Sequence, residues 1–165
     1  MKKVILLLGL VLTVAVWYAL EASETARVKK AFNQAAVAFR KDGTEAAYTS
    51  LSKSRALAAL VGSECRLEIP ERNYVSAMAG SDLAREIALF RAQSTRIKVA
   101  FEDLSVQLVD ETTAQATCDF FYSGDADPLG FLGRDARALE ATLKKAPGSG
   151  NWRFAHVRLM PILRK

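Results

Sequence analysis

The chain has 165 residues, half of them apolar, with a formal net charge of +5 and a single histidine. That length suits one domain with a sizeable core, and charges of both signs are interspersed without a run of five alike, which argues against a nucleic-acid partner. Two cysteines and one histidine cannot close a structural zinc site, and no metal or cofactor is expected.

The N-terminus opens Met1-Lys2-Lys3, followed by 17 uncharged residues from Val4 to Leu20. As a helix this run would extend about 26 Å, close to the ~30 Å hydrocarbon core of a bilayer. No face of it is polar, which rules out a buried helix of a soluble domain. Small residues are poorly placed for cleavage (Ala19/Glu21 and Leu20/Ala22), and Trp17-Tyr18 would sit at the far interface. An uncleaved signal anchor over residues 1–22 is therefore expected, with a cleaved signal peptide as the alternative. No Cys follows the run, so a lipoprotein is not expected. Lys2 and Lys3 would hold the N-terminus in the cytoplasm and export residues 23–165 as one domain. A single-pass inner-membrane protein facing the periplasm follows, or a secreted periplasmic one if the segment is cleaved.

From Glu24 to Lys41, Val28, Ala31, Phe32, Ala35, Ala36 and Phe39 form one apolar stripe of an amphipathic helix, with Gly43 as its stop. Residues 21–25 hold no Gly or Pro, so this helix is expected to continue from the apolar run. Thr44 can cap a second helix, bent around Ser50–Ser54, with Tyr48, Leu51, Leu57, Leu60 and Val61 inward and Gly62 as its end. Cys65 to Ile69 alternates briefly and Pro70 closes it, predicting a short edge strand. Residues 71–79 read equally as strand or loop. Ser81 can cap a third helix that buries Leu83, Ile87 and Phe90.

The remainder alternates with period two, the mark of strands with one buried face. Ile97, Val99 and Phe101 share one parity, and Leu104, Val106 and Leu108 the other, so a β-bulge is predicted near Glu102-Asp103. Asp110-Glu111-Thr112 turns the chain into a strand from Ala114 to Tyr122. A loop over 123–135 follows, then a strand from Arg137 to Lys145 with Leu139, Ala141 and Leu143 inward. Pro147-Gly148-Ser149-Gly150 is a turn cluster before the last strand, Trp152 to Met160. Helices followed by an antiparallel meander define a segregated α+β fold with a strongly curved sheet.

That order, with Leu139-Glu140-Ala141-Thr142-Leu143-Lys144-Lys145, a glycine turn and Trp152-Arg153-Phe154-Ala155-His156-Val157, resembles the nuclear transport factor 2-like superfamily, including its SnoaL-like members. Cys65-Arg66-Leu67-Glu68-Ile69-Pro70-Glu71 resembles the short strand after the second helix in exported bacterial members. The resemblance spans residues 25–163 and implies the cystatin-like α+β cone. The superfamily hosts isomerases, dehydratases, cyclases and transport adaptors, so the fold alone selects no activity.

His156 is a candidate general base or ligand donor, because its pKa lies near working pH and the last strand would line the cone. Alternation places it with Trp152, Phe154 and Arg158; these with Phe101 are the candidate cone lining for a small apolar ligand. Asp119 is a second candidate, a carboxylate in an aromatic strand. The acids of ketosteroid isomerases and the several histidines of scytalone dehydratases find no match here. Gly124-Asp125-Ala126-Asp127-Pro128-Leu129-Gly130 imitates a calcium loop but carries Pro128, and Leu129 and Ala136 where ligands belong. Cys65 and Cys118 are expected to be reduced rather than bonded, since Cys118 lies among Ala114, Ala116 and Phe120.

The expected function is a membrane-anchored extracytoplasmic binding or assembly module, with a homodimer through the sheet as a candidate partner. The alternative is an enzyme acting on a small apolar substrate in the cone.

Overall fold

In the computed structural model the backbone is described for residues 2–125 and 134–161, and side chains for 19, 20, 23–125 and 136–161. Helix α1 (Lys2–Phe39) runs without a break from the apolar N-terminal segment into the domain. Strand β1 (Lys41–Asp42), α2 (Ala47–Ala59), β2 (Val61–Ile69), a 3-10 turn (Pro70–Arg72), β3 (Tyr74–Met78) and α3 (Gly80–Gln93) follow. The meander is β4 (Arg96–Leu108), β5 (Thr113–Gly124), β6 (Arg134–Lys145) and β7 (Trp152–Pro161). Residues 4–18, which carry most of the anchor expectation, lie outside the described side chains, as does the 126–133 part of the acidic loop. Among the described residues no helix is long and apolar enough to cross a membrane.

The strands form one sheet in the order β1-β4-β5-β6-β7-β2-β3. Every pairing is antiparallel except that of β2 with β7. The expected short edge strand at Cys65–Ile69 is thus a nine-residue inner strand, and the edge is β3, built from the ambiguous stretch. Parallel pairing of β2 with β7 spans a long sequence separation, which local alternation does not report.

The predicted slip in β4 is present. Glu102 pairs with Asp119 and Ser105 with Thr117, leaving one extra residue on β4, with Asp103 in the left-handed region at φ +51°. A second bulge, not predicted, lies in β7: Phe154 pairs with Leu143 and His156 with Thr142, so Ala155 has no register partner.

Helix α1 lies across the concave face and buries Val28, Ala31, Phe32, Ala35 and Ala38. The Phe32 ring meets Phe154 at 4.9 Å and Phe101 at 5.2 Å, both edge to face. Phe101 continues to Phe120 at 5.8 Å.

The helix ends differ from the sequence reading. Helix α1 stops at Phe39 rather than at Gly43, because the chain leaves to pair as β1 with β4. Ala46 and Ala79, not Thr44 and Ser81, stand at the N-caps of α2 and α3, without side-chain caps. Helix α2 runs straight through Ser50–Ser54, with the Ser54 hydroxyl donating to the Ser50 carbonyl at 2.9 Å, and ends at Leu60 instead of Gly62. It turns Ser54 and Leu57 inward and leaves Tyr48 and Leu51 exposed. At the α2–α3 crossing a Cβ on Gly80 would stand 3.0 Å from the Ala58 carbonyl, so only glycine allows this approach freely.

Two helix C-termini converge on a buried cation cluster. Arg91, fully buried, donates from Nη1 to the Ala38 and Phe39 carbonyls of α1 and from Nη2 to Glu45. Lys41 Nζ in turn donates to the Arg91 and Ser94 carbonyls of α3, each at 2.6 Å. These cations meet the negative ends of both helix dipoles and their unpaired carbonyls.

Candidate functional site

The concave face is built from the aromatic side chains that the sequence assigned to it. Trp152 and Phe154 are buried, and Phe101 and Phe120 are half-buried against the same cluster. The Trp152 indole donates to Glu24 Oε2 of α1 at 2.8 Å, while Lys145 Nζ lies 3.0 Å from Glu24 Oε1 and 5.6 Å from the Trp152 ring. Burial works to raise the Glu24 carboxyl; the Trp152 and Lys145 hydrogen bonds and the Lys145 and Arg27 charges outweigh it and hold it below the usual range. Phe39 is partly buried against the same core cluster.

The bulge at Ala155 reverses the expected placement of His156. Phe154 shares a face with buried Leu143, whereas His156 is level with Thr142 and Arg158 with Glu140, on the outer face. Val157 and Leu159 take the inward positions instead, opposite Ala141 and Leu139. His156 and Arg158 therefore do not line the cone. A strand that gains one residue turns everything beyond it over.

On the outer face His156 Nε2 lies 3.5 Å from Glu68 Oε1, and Arg66 Nε donates to that oxygen at 2.6 Å. Arg158 Nε stands 4.0 Å from Glu68 Oε2, and its Nη1 3.8 Å from Glu140. Desolvation acts to raise Glu68, but the Arg66 hydrogen bond and the Arg66, His156 and Arg158 charges lower it overall. The arrangement is two carboxylates, Glu68 and Glu140, among three basic side chains on an open sheet, with Thr142 level with His156 on the neighbouring strand. Asp119 lies on the same outer face, level with Glu102 of β4 and Ala138 of β6. The structure does not bring His156 and Asp119 into the cone.

Among the described residues the buried polar side chains are Lys41, Ser54, Arg91 and Ser94. All four bind backbone carbonyls of helices, and none is a carboxylate or an imidazole. The interior thiol is no substitute: burial, with the Asp119 charge, pushes Cys118 up to about 12, and burial pushes Cys65 up to about 11. Both cysteines are free. They stand on β5 and β2, three strand spacings or about 14 Å apart, beyond the reach of a disulfide.

An open concavity lies on the helix side. A groove of about 980 Å³ runs between α1 and α2, with the turn at Ser149-Gly150-Asn151 among its lining. Arg27, Lys30, Gln34 and Val37 of α1 line one wall, and Ser52, Ala56 and Ala59 of α2 the other. Among the described residues no acidic one lines it. The sequence carried part of this signal, because 27, 30, 34 and 37 recur at helical spacing opposite the apolar stripe. What it lacked was the second wall, which a separate helix supplies.

No family model and no curated protein matches the sequence. Solved structures do. A protein of unknown function from Pseudomonas aeruginosa, described as NTF2-like, shares 15% identity at a TM-score of 0.60, over 81% of this chain and 97% of its own. An NTF2-like protein with a cystatin-like fold from Novosphingobium aromaticivorans shares 12% at 0.61, over 92% and 90%. A candidate dehydratase of the NTF2-like family from Streptomyces avermitilis shares 16% at 0.58, over 87% and 99%. At such identities the likeness concerns architecture alone. Helices packed on a curved, largely antiparallel sheet are what these structures share with it: this chain has the nuclear transport factor 2-like, cystatin-like α+β fold.

Proposed function

We propose that the protein is a membrane-tethered, extracytoplasmic binding module on an NTF2-like scaffold, and that it does not act as a catalyst within the cone. The observation that carries the non-catalytic reading is the Ala155 bulge. It turns His156 to the outer face and leaves Phe32, Phe101, Phe120, Trp152 and Phe154 across the concave side. Acid–base chemistry needs a titratable group within hydrogen-bond reach of the substrate. Neither of the two candidates, His156 and Asp119, points into the cone. The alternative, an enzyme acting on a small apolar substrate there, draws on the names of neighbours, the Streptomyces avermitilis candidate dehydratase and a candidate aromatic ring hydroxylase from Novosphingobium aromaticivorans.

The tether reading draws on the charge-free run from Val4 to Leu20 behind Lys2-Lys3, and on the continuity of α1 from Lys2 to Phe39. The helix that carries the apolar run is the one that carries Val28 and Phe32 into the core, so the domain would stand rigidly close to the bilayer. The test is fractionation of the full-length chain expressed in a Gram-negative host. It should stay in carbonate-washed membranes, retain its N-terminus, and be digested by protease only once the outer membrane is opened. Recovery of a soluble form beginning near Ala22 would overturn the tether. Turnover of an apolar substrate abolished by His156→Ala would overturn the non-catalytic reading.

A further inference from the structure

We propose that the end of the domain at which α1 enters docks on an anionic bilayer surface, with Arg27, Lys29, Lys30, Lys144 and Arg153 as the cations that meet the lipid phosphates. This names the partner of one surface of the tethered module and rests on the tether reading above.

The path of α1 across the sheet decides which end that is. Glu24 meets Trp152 and Lys145, where β7 begins and β6 ends. Further along, Phe32 meets Phe154 and Phe101, and Lys41, past the end of the helix, pairs with Ile97 at the start of β4. The helix therefore enters at the end of the sheet that carries the β4–β5 and β6–β7 turns and leaves at the other. It is continuous from the charge-free run, so Arg27 stands about 10 Å and Lys30 about 15 Å beyond Leu20 along its axis. The headgroup layer takes up roughly 5–7 Å of that distance. Both cations thus come within about a Debye length, ~8–10 Å, of the phosphates. The turn after Lys145 starts from the level of Glu24, about 6 Å beyond Leu20, and carries Ser149 into the headgroup layer.

The charge at this end is one-sided. Its acids are Glu24, Asp110 and Glu111. Glu24 is shared among Arg27, Lys145 and the Trp152 indole. Asp110 accepts from Thr112 N at 2.7 Å and from its hydroxyl at 2.8 Å, inside its own turn. Lys29, Lys30 and Lys144 are exposed, Arg153 is half-exposed, and none of the four has an ion-pair partner among the described residues. At the far end, by contrast, Arg40 pairs with Asp42 at 2.7 Å and Lys53 with Glu45 at 2.6 Å.

A lysine or arginine close to an anionic membrane favours the bound state by about fivefold, within a Debye length of the surface. A handful of such contacts would hold a free protein weakly. Here the tether keeps the domain at high effective concentration beside the lipid, so the same few contacts are enough to fix its orientation.

The test places the full chain in nanodiscs of phosphatidylcholine alone, or of phosphatidylcholine with phosphatidylglycerol. A spin label is attached through Ser149→Cys or, at the far end, through Lys98→Cys, and its collisions with a neutral water-soluble nickel complex are read by electron paramagnetic resonance. Phosphatidylglycerol should lower the accessibility of position 149 at least about threefold and leave position 98 unchanged. High salt, which cuts the Debye length to a few Å, should restore it. So should Lys29→Glu with Lys30→Glu and Lys144→Glu. These side chains are exposed, so the unfolding midpoint should stay where it was.

Position 149 equally open in both lipids would mean that the domain stands clear of the surface. Protection in both lipids, indifferent to salt, would mean crowding by the tether or apolar insertion. Protection at position 98 as well would mean association between copies, and indifference to the charge reversal would place the contact on other residues. Each of these overturns the docking. A chain that elutes apart from the discs removes tether and docking together, whereas discs that carry the chain with position 149 open remove the docking alone.

Discussion

Arg91 is the side chain on which the ends of two helices depend. Its guanidinium closes the carbonyls of Ala38 and Phe39, and its own carbonyl accepts from Lys41, so each helix end is met by a cation from another element. Arg91→Met keeps the volume but strands these carbonyls and part of the Glu45 charge. It should lower the unfolding free energy by about 3 kcal/mol or more in denaturant titrations. Glu45 gives the network an acid limb. Burial tends to raise its carboxyl, but the Lys53 and Arg91 hydrogen bonds and charges lower it overall from the model-compound value of 4.5. A carboxyl lowered by folding contributes stability above its unfolded pKa and loses it as pH falls through its folded pKa. Glu45→Gln should therefore flatten the stability profile below about pH 4.5 and leave its slope near neutrality unchanged. The thiols give a second readout at this scale. With Cys65 raised to about 11 and Cys118 to about 12, native protein at pH 8 should react slowly with iodoacetamide. The unreduced protein in denaturant should yield two free thiols, and finding none would show a bond the strand positions forbid.

At the scale of elements, the two bulges decide which side chains the cone receives. In β4 the extra residue lets Ile97, Val99 and Phe101 face the same side as Leu104, Val106 and Leu108, all buried or half-buried against the core. In β7 it lets Trp152 and Phe154 share that side with Val157 and Leu159. Deleting Ala155 restores strict alternation and forces a choice between turning Val157 and Leu159 to water or shifting the register. That deletion should destabilise by about 3 kcal/mol or more, while His156→Ala, on the open face, should cost about 0.5 kcal/mol or less. Equal and small effects would show that the strand faces are assigned wrongly. Phe32 is the corresponding residue of the helix layer, touching both strands. Phe32→Ala should cost about 3–5 kcal/mol, and a folded variant should gain binding of an apolar fluorescent dye that the native cone excludes.

For the whole molecule, a sheet with helices on one side leaves its other side to solvent or to a partner. Around Asp119 that face presents Phe121 and Met160 beside Ala136 and Ala138, a low-relief patch bordered by Glu102 and Glu140. We propose that two copies pair through it. Sedimentation of the full chain in amphipol should give twice the monomer mass, returning to monomer in Phe121→Glu, since burying an unpaired carboxylate costs far more than the lost ring contact. A monomer at all concentrations would remove the pairing and leave the groove, on the opposite side, unaffected.

The sequence by itself determined the class of fold. The α1 stripe Val28-Ala31-Phe32-Ala35, the inward set Leu139-Ala141-Leu143 and the parity slip between Phe101 and Leu104 are local patterns, and burial of one face is all they require. A matching slip between Phe154 and Val157 was also legible, but His156 continues the alternation from Phe154 and is amphipathic enough to hide it. Only the tertiary structure decided where His156 points, because that depends on which β6 residue stands beside it. It alone decided that β2 runs parallel to β7 inside the sheet, and that a buried arginine joins residues about fifty positions apart. It also decided that the polar face of α1 becomes one wall of a groove, the other wall belonging to α2. Periodicity reports how a segment meets water and core. Register and the meeting of distant segments follow from pairings whose partners are remote in the chain, and no window along the sequence contains both.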